Sequence, residues 1–403
     1  MRPIQILAGL LLAAWIAGAA AQGQALRPEV GKPIQAAIEA LKQKRGKEAL
    51  AKAREAQAVP NKTAYESYMV ERVIGQAAAA AGEHGTAARA LEQAANSSAA
   101  PEGERRQLVA AAANLYYSMK EYGKAAELAS RYMKDGGTDG AVRTIYTQSL
   151  YLSGNLPAAA KAIAADIDHA EQNGRSPSEE QLQLLANVYD KQKDNNGYSR
   201  AMEKLVAYYP KKDYWQSVIY GVTTRPGYSD RLAIEIARLK LATGTMRTVE
   251  EYVESAQISL QEGFPIEANK IIDQGYSAGL LGTGPDAARH KRLKDLAAKS
   301  LAEDQASAAK DAGQPAKDGK ALFNEGFNLV LNGKSDKGLE MMEQGLKLGT
   351  GFRRIDHAKL QMGYAYYLAG QKQKAQQAYR RVQGDDGALT LARLWIIKLG
   401  QAS

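Results

Sequence analysis

Small, apolar and turn-forming positions recur along this chain with a long period. A turn residue followed five positions later by a small residue appears at Gly82/Ala87, Lys120/Ala125, Gly154/Ala159, Gly263/Ala268, Gly333/Gly338 and Gly370/Ala375. Lys193 fits the same turn, with Tyr198 at the position that is small elsewhere. Seven positions before the turns lie Gly75, Ala113, Thr147, Ala186, Ala256, Gly326 and Gly363, most of them after an apolar residue. The turns are 34 to 39 residues apart, except for two gaps of 70. Each long gap has room for a hidden degenerate unit.

This period predicts helix–turn–helix units. The seven residues before the turn form the last two turns of one helix. The chain then reverses, and the small residue five positions on faces the first helix. Small side chains let the two axes approach closely. Each pair has apolar surface on two sides, so it must stack on its neighbours. In the first long gap Gly221 and Ala233 stand near the expected places, separated by the breakers Arg225-Pro226-Gly227. In the second, residues 285–311 read as one long charged helix ended by Gly313-Gln314-Pro315.

The pattern resembles the tetratricopeptide repeat (TPR). Lys359 to Val382 is the best unit, with Met362-Gly363, Tyr366, Gly370, Ala375 and Tyr379 at matching positions. Leu182 to Pro210 and the unit around Gly75 are similar, and Ile34 to Ala53 reads as a worn first unit with Ala37 and Ala49. The resemblance implies an all-α, right-handed solenoid of antiparallel helix pairs with about eight to ten units, some degenerate. PEVGKPIQAA (28–37), VPNKTAYESY (59–68), LVAYYPKKDYW (205–215) and ALTLARLWII (388–397) also resemble exported proteobacterial TPR-containing proteins without an assigned biochemical role. YVESAQISLQEGFPIEANKII (252–272) is similar, more distantly, to periplasmic TPR components of energised outer-membrane uptake systems.

Residues 1–21 read as a secretory signal. Arg2 provides the positive start, residues 6–16 an apolar run of 11, and Ala19-Ala20-Ala21 a small-residue cleavage site. Eleven apolar residues are too few to span a bilayer. The expected location is therefore the periplasm. The array is expected to run over residues 22–223. A central group of helices follows over 228–312, then a linker over 313–319, and a C-terminal pair with a terminal helix over 320–403. A length of 403 residues by itself suggests two or three domains. The repeat makes Pro33 to Leu399 more nearly one array, jointed around Arg225–Gly227 and Gly313–Gly319.

Composition narrows the chemistry. The chain has no cysteine, which excludes disulfide scaffolds, thiol catalysis and cysteine-based metal sites. The net charge of +9 is dispersed, with short clusters at Lys42–Lys47, Arg289–Lys294 and Arg353-Arg354 that read as solvated helix faces. No aromatic interleaving points to nucleic acid. The four histidines, His84, His169, His290 and His357, show no metal-ligand spacing, and His84 and His290 read as exposed polar residues. No cofactor, metal or catalytic set is expected. Gly275-Tyr276-Ser277-Ala278-Gly279 fits the nucleophile elbow of hydrolases, but residues 266–274 before it read as a helix rather than the strand an elbow requires. Gly333-Lys334-Ser335 ends like a P-loop, yet Asn328 stands where the first glycine belongs.

The resemblance implies that bound peptides lie in a concave groove lined by the first helix of each pair. The residues one position after the small residue face it: Gln76, Asn114, Gln148, Asn187, Gln257, Phe327 and Tyr364. Five are carboxamides, which can both donate to and accept from a peptide backbone. Tyr117, Tyr151 and Tyr367 lie three residues further on the same face. The carboxylate clamp of chaperone-binding TPRs is not matched. Arg72 and Gln76 are followed by Ala110 and Asn114, then Thr144 and Gln148, without the later cations. The expected function is a non-enzymatic, exported scaffold that binds a peptide segment or protein partner in this groove. The alternatives are a structural subunit of a cell-envelope machine for energised uptake or polymer export, and a hydrolase using Ser277.

Overall fold

The computed structural model of the chain describes residues 25–310 and 316–401. The expected signal segment and residues 313–315 of the expected linker lie outside them. The chain divides into two compact units, one ending at Asp168 and one beginning at His169. Twenty α-helices stand among the described residues, and they form the expected all-α array of antiparallel pairs.

The first unit holds α1 (Pro28–Lys42), α2 (Gly46–Gln57), α3 (Ala64–Ala80), α4 (His84–Asn96), α5 (Glu102–Ser118), α6 (Tyr122–Lys134), α7 (Gly140–Leu152) and most of α8 (Leu156–Gln172). The helices within its pairs are joined at Lys44, Gly82, Lys120 and Gly154, all left-handed, with φ between 57° and 81°. The next N–H reaches the carbonyl five residues back: Arg45 to Ala40 (2.8 Å), Glu83 to Ala78 (2.8 Å), Glu121 to Tyr116 (2.9 Å) and Asn155 to Leu150 (2.9 Å). This 6→1 bond ties off the helix end and turns the chain back. Ala49, Ala87, Ala125 and Ala159 are then fully buried against the preceding helix. At Gly75 a Cβ would lie 2.4 Å from the Leu91 side chain, so any larger residue would have to displace Leu91 from the contact of α3 and α4.

The start of the unit is fastened by one carboxylate. Glu66 forms a capping box with Thr63 at the head of α3. It also accepts from the Arg27 backbone N–H (3.0 Å) and from Arg27 Nε (2.9 Å) and Nη2 (3.0 Å). The Arg27 hydrogen bonds, helped by the N–H groups of Arg27 and Thr63 against the cost of burial, hold the Glu66 carboxyl down at about 2.

The second unit holds α9 (Glu179–Lys191), α10 (Asn195–Tyr208), α11 (Lys212–Thr223), α12 (Ala233–Thr243), α13 (Val249–Gln261), α14 (Pro265–Ser277), α15 (Ala287–Lys310), α16 (Gly319–Leu331), α17 (Ser335–Leu348), α18 (Ile355–Leu368), α19 (Lys372–Arg380) and α20 (Ala388–Gly400). Lys193, Gly263, Gly333 and Gly370 are again left-handed, with φ of 58° to 82°. The degenerate unit of the first long gap is the α11–α12 pair, and the second gap holds the long single helix α15. The closest pair is α16–α17, where a Cβ on Gly326 would lie 2.5 Å from the Gly338 carbonyl oxygen.

The second unit closes on itself. Helix α20 packs on α19 and α18 and also on α12 and α10. Arg393 pairs with Glu203 (3.1 Å), and Gln401 Nε2 donates to the Val206 carbonyl (2.7 Å). The breakers Arg225–Gly227, expected as a joint, are clamped by this closure. Arg225 Nη1 donates to Thr390 Oγ1 (3.2 Å), and the N–H of Ser229 donates to the Asp386 carbonyl (3.0 Å). The boundary between compact units instead falls inside α8.

At the centre of the closed unit lies Arg238 of α12, 3% exposed. It binds Glu267 through Nε (3.0 Å) and Nη2 (2.6 Å), and Glu235 through Nη1 (2.6 Å). Its guanidinium sits 5.3 Å from the ring centre of Phe264 and 4.9 Å from those of Phe327 and Tyr364. One cation thus faces two carboxylates in a dry interior. Burial pushes the Glu235 carboxyl up, against the pull of Arg238.

Three outcomes follow. Gly326→Ala drives a methyl into the Gly338 backbone and should lower the stability of the second unit by about 1–3 kcal/mol in denaturant titrations. Gly123→Ala, where a Cβ meets nothing within 4 Å, should be neutral or slightly stabilising. Arg238→Met leaves two buried carboxylates without a counter-charge and should cost about 3–5 kcal/mol; adding Glu235→Gln and Glu267→Gln should recover most of it. Two buried carboxylates, Glu66 and Glu235, should also respond oppositely to pH. Glu66 is depressed on folding, so its contribution is present above its ordinary value of 4.5 and is lost as pH falls from there towards 2. Glu235 is raised on folding, so it costs stability as pH rises above 4.5. Melting curves across pH should lose the acid-side slope in Glu66→Gln and flatten above pH 4.5 in Glu235→Gln.

Candidate functional site

The first unit carries Gln76 on α3, Asn114 on α5 and Gln148 on α7, each one residue after a small, buried position: Gly75, Ala113 and Thr147. Because the small residue faces the second helix of its pair, its neighbour is turned about 100° around the helix. All three carboxamides are half-buried. Tyr117 Oη donates to Gln148 Oε1 at 2.5 Å, bridging α5 and α7. That bond joins the face of α5 that carries Asn114 and Tyr117 to the corresponding face of α7. The side chains of Gln76 and Asn114 have no hydrogen-bond partner among the described residues. The Tyr117 ring meets Tyr122 edge to face, with centroids 5.7 Å apart, which fixes its direction. Tyr151 is half-buried near the end of α7.

Arg72, one turn before Gln76, is already committed. Its Nε lies 2.6 Å from Glu104 Oε1, and the same carboxylate accepts from Tyr68 Oη. Burial first, and then the bond to Glu104, push the Tyr68 hydroxyl well above its ordinary range, so it stays a donor. This surface therefore offers neutral amides and tyrosine, with its nearest cation neutralised.

In the second unit the expected residues diverge. Asn187 and Gln257 are exposed on α9 and α13. Phe327 and Tyr364, expected to make an apolar end of the groove, are interior residues at 0% and 5% exposure. Arg238 of α12 covers both rings. Trp395 of α20 packs at 5.6 Å from Tyr364, 5.1 Å from Tyr367 and 5.7 Å from Tyr379, stacked on the last. The positions of α16 and α18 expected to line the groove are thus occupied by the chain's own helices, and half-buried Tyr367 serves this packing. Large apolar side chains at those positions mark a core rather than an open surface.

Sequence reasoning missed a cleft of about 210 Å³ lined by Gln216, Ile219, Tyr220, Thr223, Lys240, Thr245 and Glu251. The first four lie at i, i+3, i+4 and i+7 on α11, a spacing that could have revealed a common face. A second hollow, lined by Met202, Ser217, Arg225 and Thr390 among others, has a volume of only about 20 Å³. Cofactor and drug-sized sites occupy roughly 300–1,000 Å³, more than either offers.

The remaining motifs take structural places. Ser277 is the last residue of α14, and Gly279 (φ 70°) ends that helix with a Leu280 N–H bond to the Gly275 carbonyl (3.0 Å). A helix therefore stands where the elbow needs a strand. Gly333 is the α16–α17 turn, and Lys334 is the residue from which α17 starts. His290, expected on the surface, is 3% exposed because its Nδ1 accepts from the Gly282 N–H (3.2 Å) and so ties the loop before α15 to that helix. Among the described residues no group of three or more histidine, aspartate or glutamate side chains could hold a metal ion, and no helix is long and apolar enough to cross a membrane.

No protein-family model matches the chain. No curated protein matches it. Among solved structures, it is similar to a chain of the Naa15/Naa10 complex bound to HypK-THB, at 16% identity and a TM-score of 0.32, over 88% of this chain. It spans 58% of that neighbour's length. It is also similar to yeast Tom70, at 10% identity and a TM-score of 0.27, over 90% of this chain and 94% of that one. At TM-scores this low neither likeness bears on what this chain does.

Proposed function

We infer that the chain is a non-enzymatic interaction scaffold whose first unit holds an extended segment of a protein partner across α3, α5 and α7. The observation that carries this reading is the uncommitted amide pair, Gln76 and Asn114, in line with the Tyr117–Gln148 bridge. An amide that folding leaves unpaired on a half-buried surface is ready to pair with a backbone N–H or carbonyl. Neutral carboxamides read the peptide backbone, so they favour a conformation over a particular side chain. Tyr117 and Tyr151 add contact area at little entropic cost. The TPR-like repeat supports the same reading, as does the paired state of Arg72, which leaves a C-terminal carboxylate without its cation here. We place this scaffold in the periplasm on the strength of residues 1–21, and the four segments that resemble exported proteobacterial TPR-containing proteins agree.

The test is a displayed library of random peptides selected against the full chain. Each net backbone hydrogen bond contributes about 0.5–1.5 kcal/mol. Removing three rungs should therefore weaken selected peptides by tenfold or more. We expect the triple variant Gln76→Ala, Asn114→Ala, Gln148→Ala to show that loss, with stability lowered by no more than the roughly 0.5–1.5 kcal/mol of the lost Tyr117–Gln148 bond. Glu127→Ala, on the exposed side of α6, should bind as before. Peptides that bind the triple variant as tightly as the parent would remove the groove of the first unit from consideration.

A further inference from the structure

We propose that the cleft between α11, α12 and α13 is a second binding site, shaped for a tyrosine side chain of a partner polypeptide. The proposal rests on the second unit alone and does not depend on the amides of α3, α5 and α7. Tyr220 forms one wall. It is 70% exposed, and its side chain has no partner among the described residues. An aromatic ring left this open is an anchor of the kind that concentrates binding energy at interfaces. Ile219 beside it supplies apolar surface. A volume of about 210 Å³ exceeds the roughly 150 Å³ that accommodates a benzene ring.

The floor sets the polar requirement. Lys240 Nζ donates to Glu251 Oε1 at 2.8 Å. The other oxygen of Glu251 is taken by the N–H groups of Arg247 (2.7 Å) and Thr248 (3.3 Å). Burial raises the Glu251 carboxyl, but Lys240 and these N–H groups outweigh it and keep it below the usual range, so it remains ionised. The carboxylate is therefore spent, while the ammonium keeps two of its three protons. The Thr223 hydroxyl donates to its own helix, at the Tyr220 carbonyl (2.9 Å). Gln216 Nε2 reaches the Thr245 carbonyl only at 3.4 Å. The unfilled capacity lies in the Lys240 protons, which take an acceptor, and in the Gln216 side-chain carbonyl oxygen, which takes a donor, and a hydroxyl serves both. Because the Lys240–Glu251 pair is neutral as a unit, a neutral acceptor fits better than an anion. A ring that ends in a neutral oxygen combines both demands, and among side chains that is tyrosine.

The test uses the full chain and three small probes followed by saturation-transfer NMR: p-cresol, toluene and p-toluate. The expected result is saturable p-cresol binding in the millimolar range, with toluene and p-toluate each at least fivefold weaker. Tyr220→Ala should weaken p-cresol at least fivefold, and Tyr220→Phe should retain most of the binding. Lys240→Met should erase the preference for p-cresol over toluene. The triple alanine variant of the first unit should bind p-cresol like the parent, which separates this site from the one on α3, α5 and α7. Absence of saturable p-cresol binding, or p-cresol binding unchanged by Tyr220→Ala, overturns the site. Tighter binding of p-toluate than of p-cresol overturns the assignment of a neutral acceptor.

Discussion

A single left-handed residue after the first helix of a pair is the constraint on which this architecture rests. At Lys44, Gly82, Lys120, Gly154, Lys193, Gly263, Gly333 and Gly370 it bends the backbone so that the following N–H closes on a carbonyl five residues back. The second helix then starts at once and runs back along the first. Axes this close favour small side chains at the crossing, hence Ala49, Ala87, Ala125, Ala159, Ala268 and Ala375 at 0% exposure, while in the α9–α10 pair buried Gly197 makes the close approach beside Tyr198. Three of the eight turns are lysines, although a side chain in this conformation costs roughly 1–2 kcal/mol. The 6→1 bond and the packing of the pair outweigh that cost, which is why glycine is preferred there and not obligatory.

The same geometry decides which faces stay open. In the second unit α20 returns to α10 and α12, and the interior between them is filled by aromatic rings around Arg238. Taking this guanidinium out of water is unfavourable, and Glu267 and Glu235 more than restore its charge. The arrangement specifies a partner set as much as it stabilises one. Only a chain that presents both carboxylates and the faces of Phe264, Phe327 and Tyr364 satisfies the cation. Glu235 Oε2, Tyr379 Oη and Trp395 Nε1 are buried without a partner among the described residues, so the core does not satisfy every group it encloses.

The turns were legible in the sequence because they depend on local chemistry. All seven positions singled out from spacing alone are left-handed, Lys120 and Lys193 included. The long helix was legible for the same reason: residues 285–311 contain no turn signal, and α15 spans Ala287–Lys310. What escaped were consequences of long-range packing. Phe327 and Tyr364 occupy positions that a repeat pattern assigns to an open groove, and only the return of α12 and α20, far away in sequence, buries them. His290 looks like part of a basic surface run, yet the loop at Gly282 folds over it. The α11–α13 cleft lies in the unit whose repeat signal is weakest, so the period that located the other positions was silent there.

Carboxamides and aromatics at equivalent positions of the repeat therefore do different work, and the difference is one of desolvation. Burying an unpaired amide costs about 1–3 kcal/mol, so Gln76 and Asn114 resist being covered by the chain's own apolar helices. Burying a phenylalanine or tyrosine face is favourable, so Phe327 and Tyr364 invite the covering that α12 and α20 supply. The residue chosen at one position per repeat thus sets whether a segment of the array is finished internally or left with unfilled hydrogen-bonding capacity. The Gln76 and Asn114 end of the series thus keeps its hydrogen-bonding capacity, and the aromatic end is already occupied.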